Sequence, residues 1–213
     1  MTMKLLNLFV AVFLLAFQLP AAATVIKLSF DGLSALGTDI QLAIDLVDGD
    51  GPSNTLKVFE ITSDGTVTGE SLTGDATATS AGFDLQDTTF FSSLTLEFAN
   101  ATFLNLTLAA TNNPPIPGAF ADSVGIFLLD PATGLPAFFT NEPLGTNAIL
   151  SWTASGDGNL AVYDALDVAQ VKWKAVVIDN SVPPVPEPGT IILCTIGMLS
   201  AIWVIQRRKG TSA

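Results

Sequence analysis

The chain alternates apolar and polar residues in many short runs, which is the pattern of β-strands with one buried face. The clearest run spans residues 39–46, where every second side chain is Ile or Leu and most of the others are polar. Residues 93–98 and 104–108 alternate in the same way and are separated by Asn100-Ala101-Thr102. A short polar connection between two alternating runs predicts that they pair as a hairpin.

Seven further runs predict strands: residues 25–30, 55–61, 82–85, 123–129, 148–153, 160–163 and 171–178. Turns rich in Gly, Pro, Asp and Asn separate them. Nine or ten short strands without a convincing helix predict an all-β fold, an antiparallel β-sandwich that is jelly-roll-like. Residues 62–80 fit a mobile loop or weak edge strands equally well, and the helix-like window 164–170 is too short to change the class.

The N-terminus has the organisation of a cleavable signal peptide over residues 1–23. Lys4 precedes an apolar core over residues 5–17, and Ala21-Ala22-Ala23 provides small side chains for cleavage before Thr24. The apolar core is too short to span a bilayer comfortably. We therefore expect a signal helix, removed by signal peptidase, and an exported domain over residues 24–181.

Three physically different segments follow that domain. Residues 182–189 are rich in proline, which disfavours regular structure and predicts an extended linker. Residues 190–206 carry no charge and predict a C-terminal transmembrane helix. The tail over residues 207–213 begins with Arg207, Arg208 and Lys209, and such a basic cluster stays on the cytoplasmic side.

The order of these segments resembles the PEP-CTERM sorting signal of bacteria that secrete exopolysaccharide. The resemblance rests on Val185-Pro186-Glu187-Pro188, the hydrophobic helix after it, and the terminal Arg207 and Arg208. It implies a precursor anchored in the inner membrane and processed by an exosortase, an integral-membrane enzyme. It also implies a final location at the cell surface, in the outer envelope or in the extracellular matrix or biofilm. An ordinary C-terminal anchor with a proline-rich stalk is the alternative.

The middle of the chain is similar to an uncharacterised group of PEP-CTERM proteins. The similarity lies in residues 46–54, Leu-Val-Asp-Gly-Asp-Gly-Pro-Ser-Asn, and in residues 127–136, Phe-Leu-Leu-Asp-Pro-Ala-Thr-Gly-Leu-Pro. It implies no activity.

Composition narrows the chemistry of the exported domain. Residues 24–181 contain four lysines and nineteen acidic residues, a formal charge of −15. Such a charge argues against nucleic acid and favours cations, or cations that bridge to an anionic polysaccharide. The chain has no histidine, and Cys194 lies in the predicted membrane helix. Catalysis by Ser-His-Asp or Cys-His groups and zinc binding by histidine are therefore excluded, and we expect no enzymatic activity.

One loop concentrates oxygen ligands. Asp45, Asp48, Asp50 and Asn54 lie close together in sequence, and the glycines between them permit a tight turn. Calcium prefers six to eight oxygen ligands, so this loop is a candidate calcium site. The loop lacks the closing glutamate of an EF-hand, and Asp-Gly is also an ordinary hairpin turn.

A carbohydrate-binding module that tethers the cell surface to polysaccharide, with calcium assisting, is the alternative to a purely structural matrix protein. Trp152, Tyr163 and Trp173 are the candidate rings for stacking on sugars. Each lies in an apolar strand, so the competing interpretation places all three in the core.

Overall fold

The computed structural model describes residues 23–49, 53–113, 115, 117–154 and 159–178. This part of the chain is all-β and forms two antiparallel sheets. It includes no helix long and apolar enough to cross a membrane. The predicted signal helix, the Pro-rich linker, the predicted transmembrane helix and the basic tail lie outside the described residues, apart from Ala23.

Twelve strands are described, and eight of the eleven connections between successive strands cross from one sheet to the other. In chain order they are β1 (Ala23–Asp31), β2 (Asp39–Val47), β3 (Thr55–Ser63), β4 (Thr66–Thr73), β5 (Thr77–Thr79), β6 (Gly82–Gln86), β7 (Phe91–Ala99), β8 (Phe103–Thr111), β9 (Ser123–Leu129), β10 (Leu150–Thr153), β11 (Asn159–Val162) and β12 (Lys172–Ile178). The first sheet has the order β12-β1-β8-β3-β6-β5, and the second has the order β11-β10-β9-β2-β7-β4.

The two sheets share one hydrophobic core, a sandwich-like arrangement. In β2 and β8 every second side chain is an almost fully buried Ile, Leu or Ala, because successive residues of a strand point to opposite faces. Trp152, Phe30 and Phe98 are the largest side chains in this core. Burial of each large apolar side chain stabilises the fold by about 1.5–3 kcal/mol.

The strand predictions are confirmed by the structure, with small differences at the ends. Residues 62–80 form β4 and β5, which lie at one edge of each sheet, so the edge-strand alternative holds. Residues 164–170 contain no helix, and Ala165 instead bridges to Thr140. Among the described residues the helical structure is one 3₁₀ turn, Leu33–Leu36.

The predicted hairpin between β7 and β8 is wrong, because the two strands belong to different sheets. β7 pairs with β2 and β4, whereas β8 pairs with β1 and β3. Ala101, between them, is only 3% exposed, and Asn100 has a left-handed backbone with φ of 57°. The connection therefore crosses from one sheet to the other over the core. Alternation identifies the buried face of a strand but does not identify its partner.

The chain enters and leaves the described fold on neighbouring strands. β1 and β12 are antiparallel, and Val25 lies opposite Ile178. At the same end of this sheet Ala23 lies opposite Thr111, and the start of β3 pairs with the end of β8. This end of the first sheet also borders the site described next.

Candidate metal centre

Three aspartates meet where strands of both sheets end. Asp48 directly follows β2 and Asp122 directly precedes β9, and these strands pair with Val47 opposite Ser123. Asp87 directly follows β6, in the other sheet. One carboxylate oxygen from each aspartate lies within 4.8 Å of the other two. The cluster thus joins the two sheets at one end of the fold.

Asn54 holds two of these carboxylates in place from the start of β3. Its backbone N–H donates to Asp87 Oδ2 at 2.5 Å, and its side-chain Nδ2 donates to Asp122 Oδ2 at 2.5 Å. Its Oδ1 accepts from the backbone N–H of Asn113 at 2.8 Å and from Thr111 Oγ1 at 3.0 Å. Because a backbone N–H can only donate, the Asn113 contact fixes which end of the amide is oxygen. Asn54 is therefore a positioning residue whose amide group faces Asp122.

Gly49 brings the loop after β2 against the loop before β9. A Cβ atom at this position would lie 2.3 Å from the backbone oxygen of Phe120, so only glycine fits without a shift. The Gly49 N–H donates to Asp122 Oδ1 at 2.7 Å. Each oxygen of Asp122 therefore accepts one hydrogen bond, and these two bonds fix the orientation of the side chain. The residue is only 2% exposed.

Asp87 is a buried carboxylate with one unpaired oxygen. The residue is 3% exposed, and its Oδ1 is buried without a hydrogen-bond partner. Burial, together with the carboxylate of Asp122 and the charge of Asp48, raises the pKa of Asp87 to about 6, against the opposing effect of the Asn54 N–H. A buried carboxylate among other carboxylates is costly unless a proton or a cation neutralises it.

The structure separates the four sequence-predicted calcium ligands. Asp48 belongs to the cluster, whereas Asn54 directs its amide oxygen at Thr111 and Asn113 and is therefore not a ligand as predicted. Asp50 lies outside the described residues. Asp45 lies on β2 and is absent from the cluster; it accepts a hydrogen bond from Ser93 Oγ at 2.7 Å. Burial raises the pKa of Asp45, and the Ser93 hydrogen bond opposes that effect.

Sequence reasoning missed Asp87 and Asp122, which are 35 residues apart in the chain. Asp87 directly follows the observed strand β6 and lies two residues after the predicted strand 82–85, and Asp122 directly precedes the predicted strand 123–129. The position of an acidic residue at the boundary of a strand was the one feature of the sequence that pointed to these two aspartates. The pairing of strands across two sheets was needed to bring these residues to Asp48.

The three aromatic candidates for sugar stacking are all engaged within the domain. Trp152 is 1% exposed and lies in the core. Trp173 is half-buried and stacks on Phe138, with ring centroids 5.3 Å apart and an interplanar angle of 27°. Tyr163 is half-buried, and its hydroxyl lies 2.9 Å from Ser151 Oγ. The core interpretation is correct for Trp152.

The four lysines of the domain lie on one surface, the outer face of the first sheet. They alternate with buried positions in β1, β3 and β12, and all four are exposed. These residues, which we call the lysine face, are Lys27, Lys57, Lys172 and Lys174. The Lys27 amine lies 4.0 Å from a carboxylate oxygen of Glu60, and with both side chains about 60% exposed this pair is weak.

The predicted sorting and signal residues fall mostly outside the described part of the chain. Val185, Pro186, Glu187, Pro188, Arg207, Arg208 and Ala21 lie outside the described residues. Ala23 is the first residue of β1, and Thr24 lies opposite Ala110. No family model, no curated protein and no solved structure matches this chain.

Proposed function

We propose that this protein is an exported, non-enzymatic surface or extracellular-matrix protein of a bacterium that secretes exopolysaccharide. A signal peptide directs export, and the C-terminal Pro-Glu-Pro segment, membrane helix and arginines form a sorting signal for an exosortase. Support comes from the sequence of the two ends and from the character of the domain between them. That domain has no histidine or cysteine for nucleophilic catalysis.

The observation that carries the proposal is the placement of every described strand between the two processing sites. Cleavage after Ala23 removes one residue from β1, and β12 ends at Ile178, before the Pro-rich linker begins. The pairing of β1 with β12 closes the domain at its ends. Both terminal segments are thus removable without loss of a strand, as a sorted and released domain requires.

We also propose that the domain is a jelly-roll sandwich. The strand pairs β1–β8, β2–β7 and β3–β6 are nested, as in a long hairpin rolled into two sheets. Two interlocked Greek keys have this nesting. β5 departs from the simple pattern because it pairs with β6 at the edge of the first sheet.

Processing can be tested by intact mass and fractionation of the protein from its own host. We expect a chain that begins at Thr24, ends near Pro186-Glu187-Pro188 and lies outside the inner membrane. Glu187→Gln should leave uncleaved, membrane-bound precursor, because the motif loses its charge. Asp179→Asn, an acidic residue outside the motif, is the matched control and should be processed normally. Normal processing of the Glu187 variant would reject the sorting assignment.

A second candidate function is binding of an anionic polysaccharide at the lysine face. The supporting observation is that a domain of formal charge −15 collects all four lysines on one sheet surface, beside the polar side chain of Asn105. Cationic side chains and hydroxyl or amide groups together suit a sugar that carries carboxylates. This function needs no cleavage of the C-terminal segment.

The lysine face predicts a salt-dependent interaction that can be measured with a polyuronate. Binding should weaken in the double variant Lys27→Gln/Lys174→Gln and with added salt, because exposed charges are screened. Glu70→Gln, on the edge strand of the other sheet, serves as the control and should bind at least as well as the parent protein. Equal binding by the lysine variant would exclude this surface.

A further inference from the structure

The carboxylates of Asp48, Asp87 and Asp122 are close enough to share one cation. Calcium binds oxygens at about 2.3–2.6 Å, so two ligands on opposite sides of the ion are about 4.8 Å apart. The three oxygens fall within that limit of one another. Three acidic side chains in one place are not by themselves evidence of a site, so the state of each carboxylate matters.

A second observation points to a ligand: the buried Oδ1 atom of Asp87. This oxygen has no hydrogen-bond partner, and the residue that carries it is only 3% exposed. Its carboxylate is one of the three that converge. Native proteins pair almost all such buried polar atoms, because an unpaired one, above all a charged one, loses its hydration without compensation.

Neutral donors hold the carboxylates of Asp87 and Asp122 in position. The donors at Asp87 and Asp122 are neutral N–H groups of Gly49 and Asn54. The two ion pairs among the described residues, Lys27–Glu60 and Lys57–Asp84, involve other acids. Each carboxylate oxygen that accepts one hydrogen bond retains a lone pair for a metal. The arrangement is therefore pre-organised for a positive charge.

We propose that Asp48, Asp87 and Asp122 form a calcium site that links the two sheets. All the ligands are hard oxygens, and the chain has no histidine, so zinc and copper are disfavoured. Asp48 and Asp122 come from the second sheet and Asp87 from the first. A bound ion thus ties β2 and β9 to β6, and Asn54 orients two of the ligands. This site does not depend on the proposed sorting function.

The site is tested by calcium titration of the full-length chain, purified in detergent and stripped with a chelator. Isothermal titration should show one site per chain near neutral pH. The melting temperature should rise by about 5–10 °C when free calcium exceeds Kd about 100-fold, since calcium binds the native state alone. Asp87→Asn and Asp122→Asn should each weaken binding about tenfold or more.

Asp45→Asn is the matched control, because Asp45 lies on the strand that leads to Asp48 but outside the cluster. It should bind calcium like the parent protein. Loss of binding in the Asp45 variant together with retention in the Asp87 variant would overturn the proposed ligand set. Weak extracellular calcium sites have Kd values of about 0.1–1 mM. If the parent protein binds no calcium even at about 10 mM, the proposed site is wrong. The pair Asp87 and Asp122 would then share a proton instead.

Discussion

Two loops of this domain each bury a carboxylate, but the two carboxylates differ in their hydrogen-bond donors and in the direction of their pKa shift. Glu142, in the loop after β9, is 9% exposed and accepts from Leu144 N, Thr146 N and Thr146 Oγ1 at 2.7–2.9 Å. Burial alone would raise the pKa of Glu142, but these donors outweigh it and the pKa is lowered. Asp87 is 3% exposed, has one such donor, and has a pKa raised to about 6.

The difference teaches that burial alone does not mark a functional carboxylate. Glu142 is satisfied within its own loop, so its charge stabilises a turn and needs no ligand. Asp87 lies between two other acids and keeps an oxygen without a partner. The negative charge of Asp87 is compensated only when a proton or a cation binds to it.

The largest expected effect comes from removal of the satisfied carboxylate. Glu142→Ala leaves three donors of the 140–148 loop without their acceptor, so unfolding in urea should show a loss of about 2–3 kcal/mol. Glu70→Ala, on exposed β4, should change stability by less than about 0.5 kcal/mol. The calcium-induced rise in melting temperature should persist in the Glu142 variant. If the Glu142 variant lost the calcium-induced rise, Glu142 would contribute to calcium binding, contrary to this account.

A smaller effect, a gain in stability, is expected when the pH of the calcium-free protein is lowered. The pKa of Asp87 is about 6 in the fold and about 3.9 when unfolded, so folding takes up a proton between these values. The stabilisation from that proton is complete below about pH 4 and is lost as pH rises through 6. The melting temperature of the calcium-free protein should therefore rise as the pH is lowered from about 7 to about 5.

Asp87→Asn isolates this pH effect from the other groups. Asp122 and Asp48 face Asp87 and are kept in the variant, and Asp45 has a raised pKa of its own that acts in the same direction. Glu142 has a lowered pKa and therefore acts only in more acidic solution. The variant should show a flatter dependence over this range, and an unchanged slope would assign the effect to Asp45.

The smallest effect is expected at the acidic residue that sequence alone favoured. Asp45→Asn keeps the oxygen that accepts from Ser93, so stability should change by less than about 0.5 kcal/mol at neutral pH. Thermal unfolding with and without calcium would measure it. A large loss of the calcium response in this variant would return Asp45 to the ligand set.

The sequence predicted the strands well because burial on one face imposes a period of two, as in β2 and β9. It failed on the pairing of β7 with β8, since both have the same alternation and the pattern carries no information on the partner. The same limit applies to the site. Asp48 and Asn54 were found because they are neighbours in the chain, whereas Asp87 and Asp122 reach them through strand pairing across two sheets.

The most direct test of the calcium site is a crystal structure of the protein grown with calcium. We expect one peak of electron density among Asp48, Asp87 and Asp122, with metal–oxygen distances of about 2.3–2.6 Å and Asp87 Oδ1 among the ligands. Empty density, with an oxygen of Asp87 at hydrogen-bond distance from Asp122, would contradict the site and identify a shared proton instead.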